Sequence, residues 1–95
     1  MIHGLPKGFP DLFGVILNDH SANGLPVPVY IECKIHPNKP SQEQTEFIEA
    51  YRAGGCCAGV CYTVTEAVRL IRPHLKDGEK TFPDSVLDRW DRLYQ

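Results

Sequence analysis

With 95 residues, of which 42% are apolar and 23% charged, the chain has the length and composition of one small globular domain. Its net charge of −2 excludes a global basic field, so a polyanionic partner has to be held by a local patch or through a bound cation. No apolar run approaches membrane-spanning length, and the N-terminal sequence MIHGLPKGFPD has no apolar signal-peptide core. We therefore expect a cytoplasmic, non-membrane protein with a single domain over 1–95 and a core over about 7–75.

Two strands are predicted in the first third of the chain. LFGVILN at 12–18 is rich in β-forming residues, and VPVYIECK at 27–34 alternates like a half-buried strand. The turn-rich segment between them predicts an antiparallel hairpin. Reflection through the middle of that loop sets Asp11 opposite Lys34, to within a residue or two. Asp11, Glu32 and Lys34 are therefore expected at one end of the sheet.

The rest of the chain predicts three helices and one more strand. A helix capped by Ser41 runs to about Arg52, where the glycines that follow end it. A third strand at 56–63 leads into a helix at 64–75, which a proline breaks near its end. An amphipathic C-terminal helix covers about 84–94. The order is β-β-α-β-α-α, which predicts a mixed β-sheet flanked by helices in the α/β class.

The four cysteines lack the spacing of a metal or disulfide framework. Cys33, Cys56, Cys57 and Cys61 form no paired C-x-x-C motif, and they accompany no export signal. This pattern favours small buried hydrophobic residues on strands.

The hairpin end carries a set of residues suited to hard-cation chemistry. Mg²⁺ commonly takes one or two carboxylates together with waters and a substrate phosphate. Asp11 and Glu32 can supply carboxylates, and the backbone carbonyl of Cys33 can supply a further oxygen. Lys34 lies where it can orient or deprotonate a water. A surface ion pair without function is the alternative for Glu32 and Lys34 alone, and the position of Asp11 favours the site.

Gln44 has two interpretations. Ser41-x-x-Gln44 is a capping box, in which Gln44 serves only the start of the helix. Gln44 also lies one turn before Phe47 and Tyr51 on the apolar stripe, so it is expected to face the strand that carries Glu32. The position of Gln44 alone does not decide between two roles: helix capping only, or helix capping combined with a role in the site.

Taken together, these segments resemble the VRR-NUC family (virus-type replication-repair nucleases) of the PD-(D/E)xK nuclease superfamily. The order of motifs is G-x-PD, then E-x-K, then S-x-x-Q and a glycine-rich turn into a strand. The resemblance implies a restriction-endonuclease-like core, with Asp11 and Glu32 as metal-binding acids, Lys34 as the catalytic lysine and Gln44 as the motif glutamine. The matching segments are KGFPDLFG at 7–14, VYIECK at 29–34, PSQEQTEFIEAYRAGG at 40–55 and AGVCYTVTEAV at 58–68.

The same resemblance implies hydrolysis of DNA phosphodiester bonds with Mg²⁺ or Mn²⁺, in replication and repair. Small stand-alone members, encoded by phages and bacteria, look like homodimeric nucleases that resolve four-way (Holliday) junctions. Lys7 falls where the family often has a basic residue, and Lys39, Arg52, Arg69 and Arg72 are further candidates for backbone contacts to DNA. In many family members an N-terminal helix carries a further acidic residue near the site. Few residues precede Lys7, so we do not expect this helix here. A second metal site is then expected to lack that acidic ligand.

Two further alternatives are left open by the sequence. The apolar face of the C-terminal helix, with Leu87, Trp90, Leu93 and Tyr94, either covers the monomer's own sheet or forms a homodimer contact. The chain is either an endonuclease acting on branched DNA or a catalytically weak or inactive nuclease-like domain that binds nucleic acid or a protein. The complete acid–lysine–glutamine set favours the endonuclease, because binding alone gives no reason for that chemistry.

Overall fold

The computed structural model describes residues 8–80 and 83–93, and within them the predicted order of strands and helices is found. Two short 3₁₀ turns, Arg72–His74 and Asp77–Glu79, lie between the second and third helices. The elements are β1 Leu12–Ile16, β2 Val27–Cys33, α1 Gln42–Ala53, β3 Cys57–Cys61, α2 Val64–Ile71 and α3 Asp84–Leu93.

The three strands form one mixed sheet in the order β1-β2-β3. β1 pairs with β2 in the antiparallel sense, as the hairpin predicts. β2 pairs with β3 in parallel, with α1 as the connection between them. The α/β class with a mixed sheet is thereby confirmed.

The register of the hairpin differs from the predicted one. Leu12 lies opposite Ile31, so the next position outward sets Asp11 opposite Glu32 rather than Lys34. The reason is that β1 ends at Ile16, where the backbone turns and the His20 amide donates to the Leu17 carbonyl at 2.9 Å. The shorter β1 moves the middle of the loop toward the N-terminus. The two acids are thus directly across the ladder from each other.

The second helix is also shorter than predicted. α2 ends at Ile71 instead of continuing to residue 75, and the chain tightens into the 3₁₀ turn Arg72–His74. Pro73 has no N–H to donate to the preceding turn, and its ring clashes with a continuing helix.

Side chains alternate across β2 and divide the interior into two layers. On one face a buried cluster of Ile16, Val27 and Cys57 packs against Leu70 and Ile71 of α2. Gly59 of β3 permits this approach, because a Cβ at that position would lie 2.5 Å from the Leu70 side chain.

The opposite face is covered by α1 and by an aromatic cluster. Phe9, Tyr30, Phe47 and Tyr51 pack with ring centroids from 4.1 to 6.1 Å apart. Phe9 lies two residues before Asp11, so this packing fixes the segment that carries Asp11.

Helix α3 packs on α2 within the monomer. Leu87 is fully buried, Trp90 is half-buried and Leu93 is exposed, while Tyr94 lies outside the described residues. Leu87 therefore belongs to the monomer's own interior. Within the described part of the chain, every helix is too short or too polar to cross a bilayer.

The cysteines divide into two groups. Cys57 and Cys61 are buried, as predicted, whereas Cys56 is half-buried and Cys33 is exposed. Cys33 is the last residue of β2 and lies at the rim of the sheet, which explains its exposure. All four are free thiols.

Candidate metal site

The site lies at the end of β2, where the segment before β1 and the start of α1 meet. Its central residue is Glu32, which is only 2% exposed although it carries a carboxyl group. Burying an ionised carboxylate is costly unless its charge and its lone pairs find partners. The groups around Glu32 therefore decide what this carboxylate can do.

One oxygen of the Glu32 carboxylate is well satisfied. Gln44 Nε2 donates a hydrogen bond to Oε1 at 2.9 Å, and Lys34 Nζ lies 3.6 Å from the same oxygen. Glu32 and Lys34 are two residues apart on β2, so both side chains point to the same face of the sheet. The structure thus brings the acid, the lysine and the glutamine together.

The other oxygen, Glu32 Oε2, is buried and makes no hydrogen bond with any described residue. Beside it lies Asp11, whose Oδ2 accepts a hydrogen bond from the Cys33 amide at 3.1 Å. Two neighbouring carboxylates repel each other unless a proton or a cation lies between them.

The proton affinity of Glu32 reflects this repulsion. Burial raises the pKa of Glu32 above its ordinary value of 4.5, and the negative charge of Asp11 raises it further. A hydrogen bond that protonated Glu32 shares with the Asp11 carboxyl acts in the same direction, whereas Lys34 and the Asp11 backbone amide lower the pKa. Burial and the charge of Asp11 thus outweigh the stabilisation that Lys34 gives to ionised Glu32.

The Cys33 backbone points to the same edge. The amide and carbonyl of one strand residue point to the same side of the strand, and the Cys33 amide faces Asp11. Continuing the ladder sets Cys33 opposite Pro10, which has no N–H to donate. The Cys33 carbonyl therefore receives no ladder bond from Pro10 and lies on the side of the Asp11 carboxylate.

Gln44 makes both of the contacts that the sequence leaves open. Its Oε1 accepts from the Ser41 amide at 2.8 Å, and the Ser41 hydroxyl accepts from the Gln44 amide at 3.2 Å, which completes the capping box. With its oxygen held by the cap, the side-chain amide directs its N–H toward Glu32. Gln44 therefore joins the start of α1 to the end of β2.

Gly8 also shapes the site, although its role is not evident from composition or periodicity. It has φ of 89°, a conformation that glycine adopts without strain. A Cβ there would lie 2.6 Å from the Glu43 carbonyl oxygen, so only glycine lets the chain run this close to the first turn of α1. The signal in the sequence is the Gly8-Phe9-Pro10-Asp11 turn itself.

The basic residues predicted to contact DNA differ in their surroundings. Lys7 lies outside the described residues. Lys39 is exposed in the turn between β2 and α1. Arg52 is exposed at the end of α1, and its Nε donates to the Ala58 carbonyl at 3.0 Å.

Arg69 and Arg72 are engaged within the fold. Arg69 pairs with Asp91 and, at 2.7 Å, with Asp88, while Arg72 lies 2.6 Å from Asp84. Since aspartates of α3 already compensate these charges, we remove both arginines from the candidates for phosphate contact.

The site offers two acidic ligands rather than a closed metal cage. Among residues 8–80 and 83–93 there is no group of three or more His, Cys, Asp or Glu side chains that could hold a metal ion. A cation bound by Asp11 and Glu32 therefore needs the Cys33 carbonyl, waters or a substrate phosphate to complete its coordination. Such an all-oxygen set fits Mg²⁺ or Mn²⁺ better than Zn²⁺.

Comparison with protein-family models, with curated proteins and with solved structures found no match for this chain. What the protein does must therefore be inferred from the site itself and from the pattern of its sequence.

Proposed function

We propose that this protein is a metal-dependent, structure-selective DNA endonuclease that hydrolyses phosphodiester bonds. The observation that carries the proposal is the buried Glu32 Oε2, which lies beside the Asp11 carboxylate with no hydrogen-bond partner among the described residues. Buried carboxylate oxygens with a purely structural role are normally hydrogen-bonded. A hard divalent cation supplies the missing partner and removes the repulsion between the acids.

Each residue of the site has a distinct role in this proposal. Asp11 and Glu32 hold Mg²⁺ or Mn²⁺, and the Cys33 carbonyl adds a neutral oxygen. When bound, the cation polarises the phosphate and lowers the pKa of a bound water. Gln44 fixes Glu32 Oε1 through its 2.9 Å hydrogen bond and so leaves Oε2 for the cation.

Lys34 acts on the phosphate side of the site. Its side chain is half-buried and its ammonium group lies beside Glu32, which supports a position next to the scissile phosphate. There it offsets the negative charge that develops on the phosphoryl oxygens and orients the attacking water.

DNA as the substrate is supported by the resemblance to VRR-NUC nucleases and by the electrostatics of the site. Two carboxylates repel a polyanion until a cation reverses the local field, so DNA binding should depend on the metal. Lys39, exposed in the turn next to the site, and Arg52 are the proposed contacts to the DNA backbone, together with Lys7. A restriction-endonuclease-like core is part of the same proposal.

A homodimer is proposed because two sites at a fixed separation suit paired cuts across a four-way junction. β1 is an edge strand, and Leu12, Phe13 and Val15 on it are all more than half exposed, at 54%, 65% and 53%. Exposed apolar side chains on a strand with no further strand partner among the described residues are typical of a surface that associates with another chain.

Cleavage of end-labelled four-way junction, flap and linear duplex tests the function directly. We expect cleavage of the branched substrates in Mg²⁺ or Mn²⁺, none in a chelator, and none with Lys34→Ala. Cleavage that survives Lys34→Ala would place the activity elsewhere. DNA binding by the wild type without cleavage of any substrate would identify a nuclease-like binding domain instead.

A further inference from the structure

A pair of thiols lies on the opposite face of the strand that carries Glu32 and Lys34. Cys33 of β2 and Cys61 of β3 are register partners in the parallel ladder, and their Sγ atoms are 3.8 Å apart. A disulfide needs about 2.0 Å between the sulfurs and about 4.4–6.8 Å between the Cα atoms. Neighbouring strands, which lie about 4.8 Å apart, satisfy the second condition. A small movement of the strand ends therefore allows a disulfide.

Both cysteines border a surface cleft. Cys33 is exposed and Cys61 is buried, and the two line a cleft of about 360 Å³ together with Leu12, Ile35, Val64 and Ala67. A cleft of this size admits a small oxidant.

The other two cysteines are placed differently. Cys57 is 1% exposed within the hydrophobic cluster, and its thiol donates to the Leu70 carbonyl at 3.3 Å. Cys56 is half-buried immediately before β3, at the far end of that strand from Cys61. The geometry therefore directs oxidation to Cys33 and Cys61.

Closing this disulfide acts on the metal site through the backbone. In the sheet order, β2 lies between β1 and β3, so drawing Cys33 toward Cys61 moves it away from Asp11. The Cys33 amide donates to Asp11 Oδ2 at 3.1 Å, and the Cys33 carbonyl lies at the same edge. Any shift of the Cys33 backbone toward Cys61 therefore displaces both groups.

We propose that Cys33 and Cys61 are a reversible redox site, which a peroxide oxidises to an intramolecular disulfide that loosens the cation site of Asp11 and Glu32. The formation of the disulfide rests on the thiol geometry alone. Its effect on the cation rests on the proposed function.

The chemistry is a balanced two-electron oxidation. The Cys33 sulfur attacks one oxygen of hydrogen peroxide, an S–O bond forms, the O–O bond breaks, and the thiol proton leaves with the departing hydroxide as water. The Cys61 sulfur then attacks the sulfenic acid at Cys33, an S–S bond forms, the S–O bond breaks, and a second water leaves with the Cys61 proton. An external dithiol then reduces the disulfide back to the two thiols by thiol–disulfide exchange and is itself oxidised to a disulfide.

Peptide mapping tests the disulfide. The reduced full chain is treated with hydrogen peroxide, remaining thiols are blocked with N-ethylmaleimide, and the digest is analysed by mass spectrometry without reduction. We expect a Cys33–Cys61 crosslink that dithiothreitol removes, that Cys56→Ser retains and that Cys61→Ser lacks. Absence of this crosslink, or a crosslink through Cys56 in its place, overturns the proposal.

Calorimetric titration of Mn²⁺ tests the consequence. We expect the affinity of the oxidised protein to be about tenfold lower or more, as loss of the groups that support a ligand typically costs about 10–100-fold. Reduction should restore it, and Cys56→Ser should behave as the wild type does. Equal affinity in both forms overturns the effect on the site. If the reduced protein binds no Mn²⁺, the proposed function fails, and the peptide map still decides whether the redox pair exists.

Discussion

Two of the charged clusters among the described residues differ in how completely their charges are compensated. Between α2 and α3, Arg69 faces both Asp88 and Asp91 at the protein surface. At the end of β2, Glu32 is buried, faces the carboxylate of Asp11 and leaves one oxygen without a hydrogen bond to any described residue. The first cluster joins two helices, and the second holds a charge that the fold alone does not neutralise.

We propose that this difference separates charged groups with a structural role from charged groups that bind a ligand. Exposed ion pairs contribute little stability, so the arginine–aspartate cluster has an ordinary structural explanation. A buried acid next to a second acid lowers stability, so its presence calls for a ligand. Under the proposed function, incomplete pairing rather than the number of charged residues distinguishes the candidate site.

The largest expected effect comes from removing the ammonium group at the site. Lys34→Ala should slow cleavage by about 10²–10³-fold, which is typical for loss of one group that stabilises developing charge. Single-turnover cleavage of a four-way junction in saturating Mg²⁺ measures it. Lys80→Ala, which removes an exposed lysine paired with Asp77 at 3.2 Å, is the matched control and should cleave as the wild type does. Equal rates for the two variants would exclude a catalytic role for Lys34.

Gly8→Ala should disturb both stability and cleavage, because the added Cβ meets the Glu43 backbone and displaces the segment that carries Asp11. We expect a loss of about 1–3 kcal/mol in the free energy of unfolding, measured with urea. Gly24→Ala is the control, since Gly24 also has positive φ, at 74°, but a Cβ there meets nothing within 4 Å. A loss no larger for Gly8→Ala than for Gly24→Ala would argue against the close approach to α1.

Gln44→Ala and Ser41→Ala separate helix capping from the site. Each removes half of the capping box and should lower the free energy of unfolding by about 1 kcal/mol. Only Gln44→Ala also releases Glu32 Oε1, so only this variant should bind Mn²⁺ about tenfold or more weakly. Calorimetry on both variants measures the difference. Equal Mn²⁺ affinities for the two variants would show that Gln44 serves only as a capping residue.

The smallest expected effect is on the pH dependence of stability. The pKa of Glu32 is raised above its ordinary value of 4.5 in the folded protein, so its favourable contribution is complete below about that pH. The contribution is lost as the pH rises through the folded-state pKa. Glu32→Gln has no charge to bury, so without divalent cations its stability relative to the wild type should rise over the same pH window.

Urea unfolding across a pH series in a chelator measures this difference. Added Mg²⁺ should stabilise the wild type at neutral pH and leave Glu32→Gln unchanged. A difference between the two proteins that is constant with pH would show that Glu32 is not under electrostatic repulsion in the fold.

The sequence predicts the convergence of Asp11 with Glu32, since β propensity and turn residues define a hairpin whose ends must meet. It does not predict their register, because the turn at Leu17 shortens β1. It shows Gln44 as a cap, but the direction of its amide depends on the spacing of α1 and β2, which aromatic packing sets. The sequence also gives no sign that Arg69 is paired. Both of its acidic partners lie on α3, 19 and 22 residues further along the chain.

Anomalous X-ray scattering from crystals soaked in Mn²⁺ tests the central claim most directly. We predict a peak between the carboxylates of Asp11 and Glu32, at about 2.1 Å from their oxygens and near the Cys33 carbonyl, and no peak in Glu32→Gln. A Glu32 carboxyl that instead shares a proton with Asp11 in saturating Mn²⁺, with no peak between them, would contradict the metal site and the hydrolytic function with it.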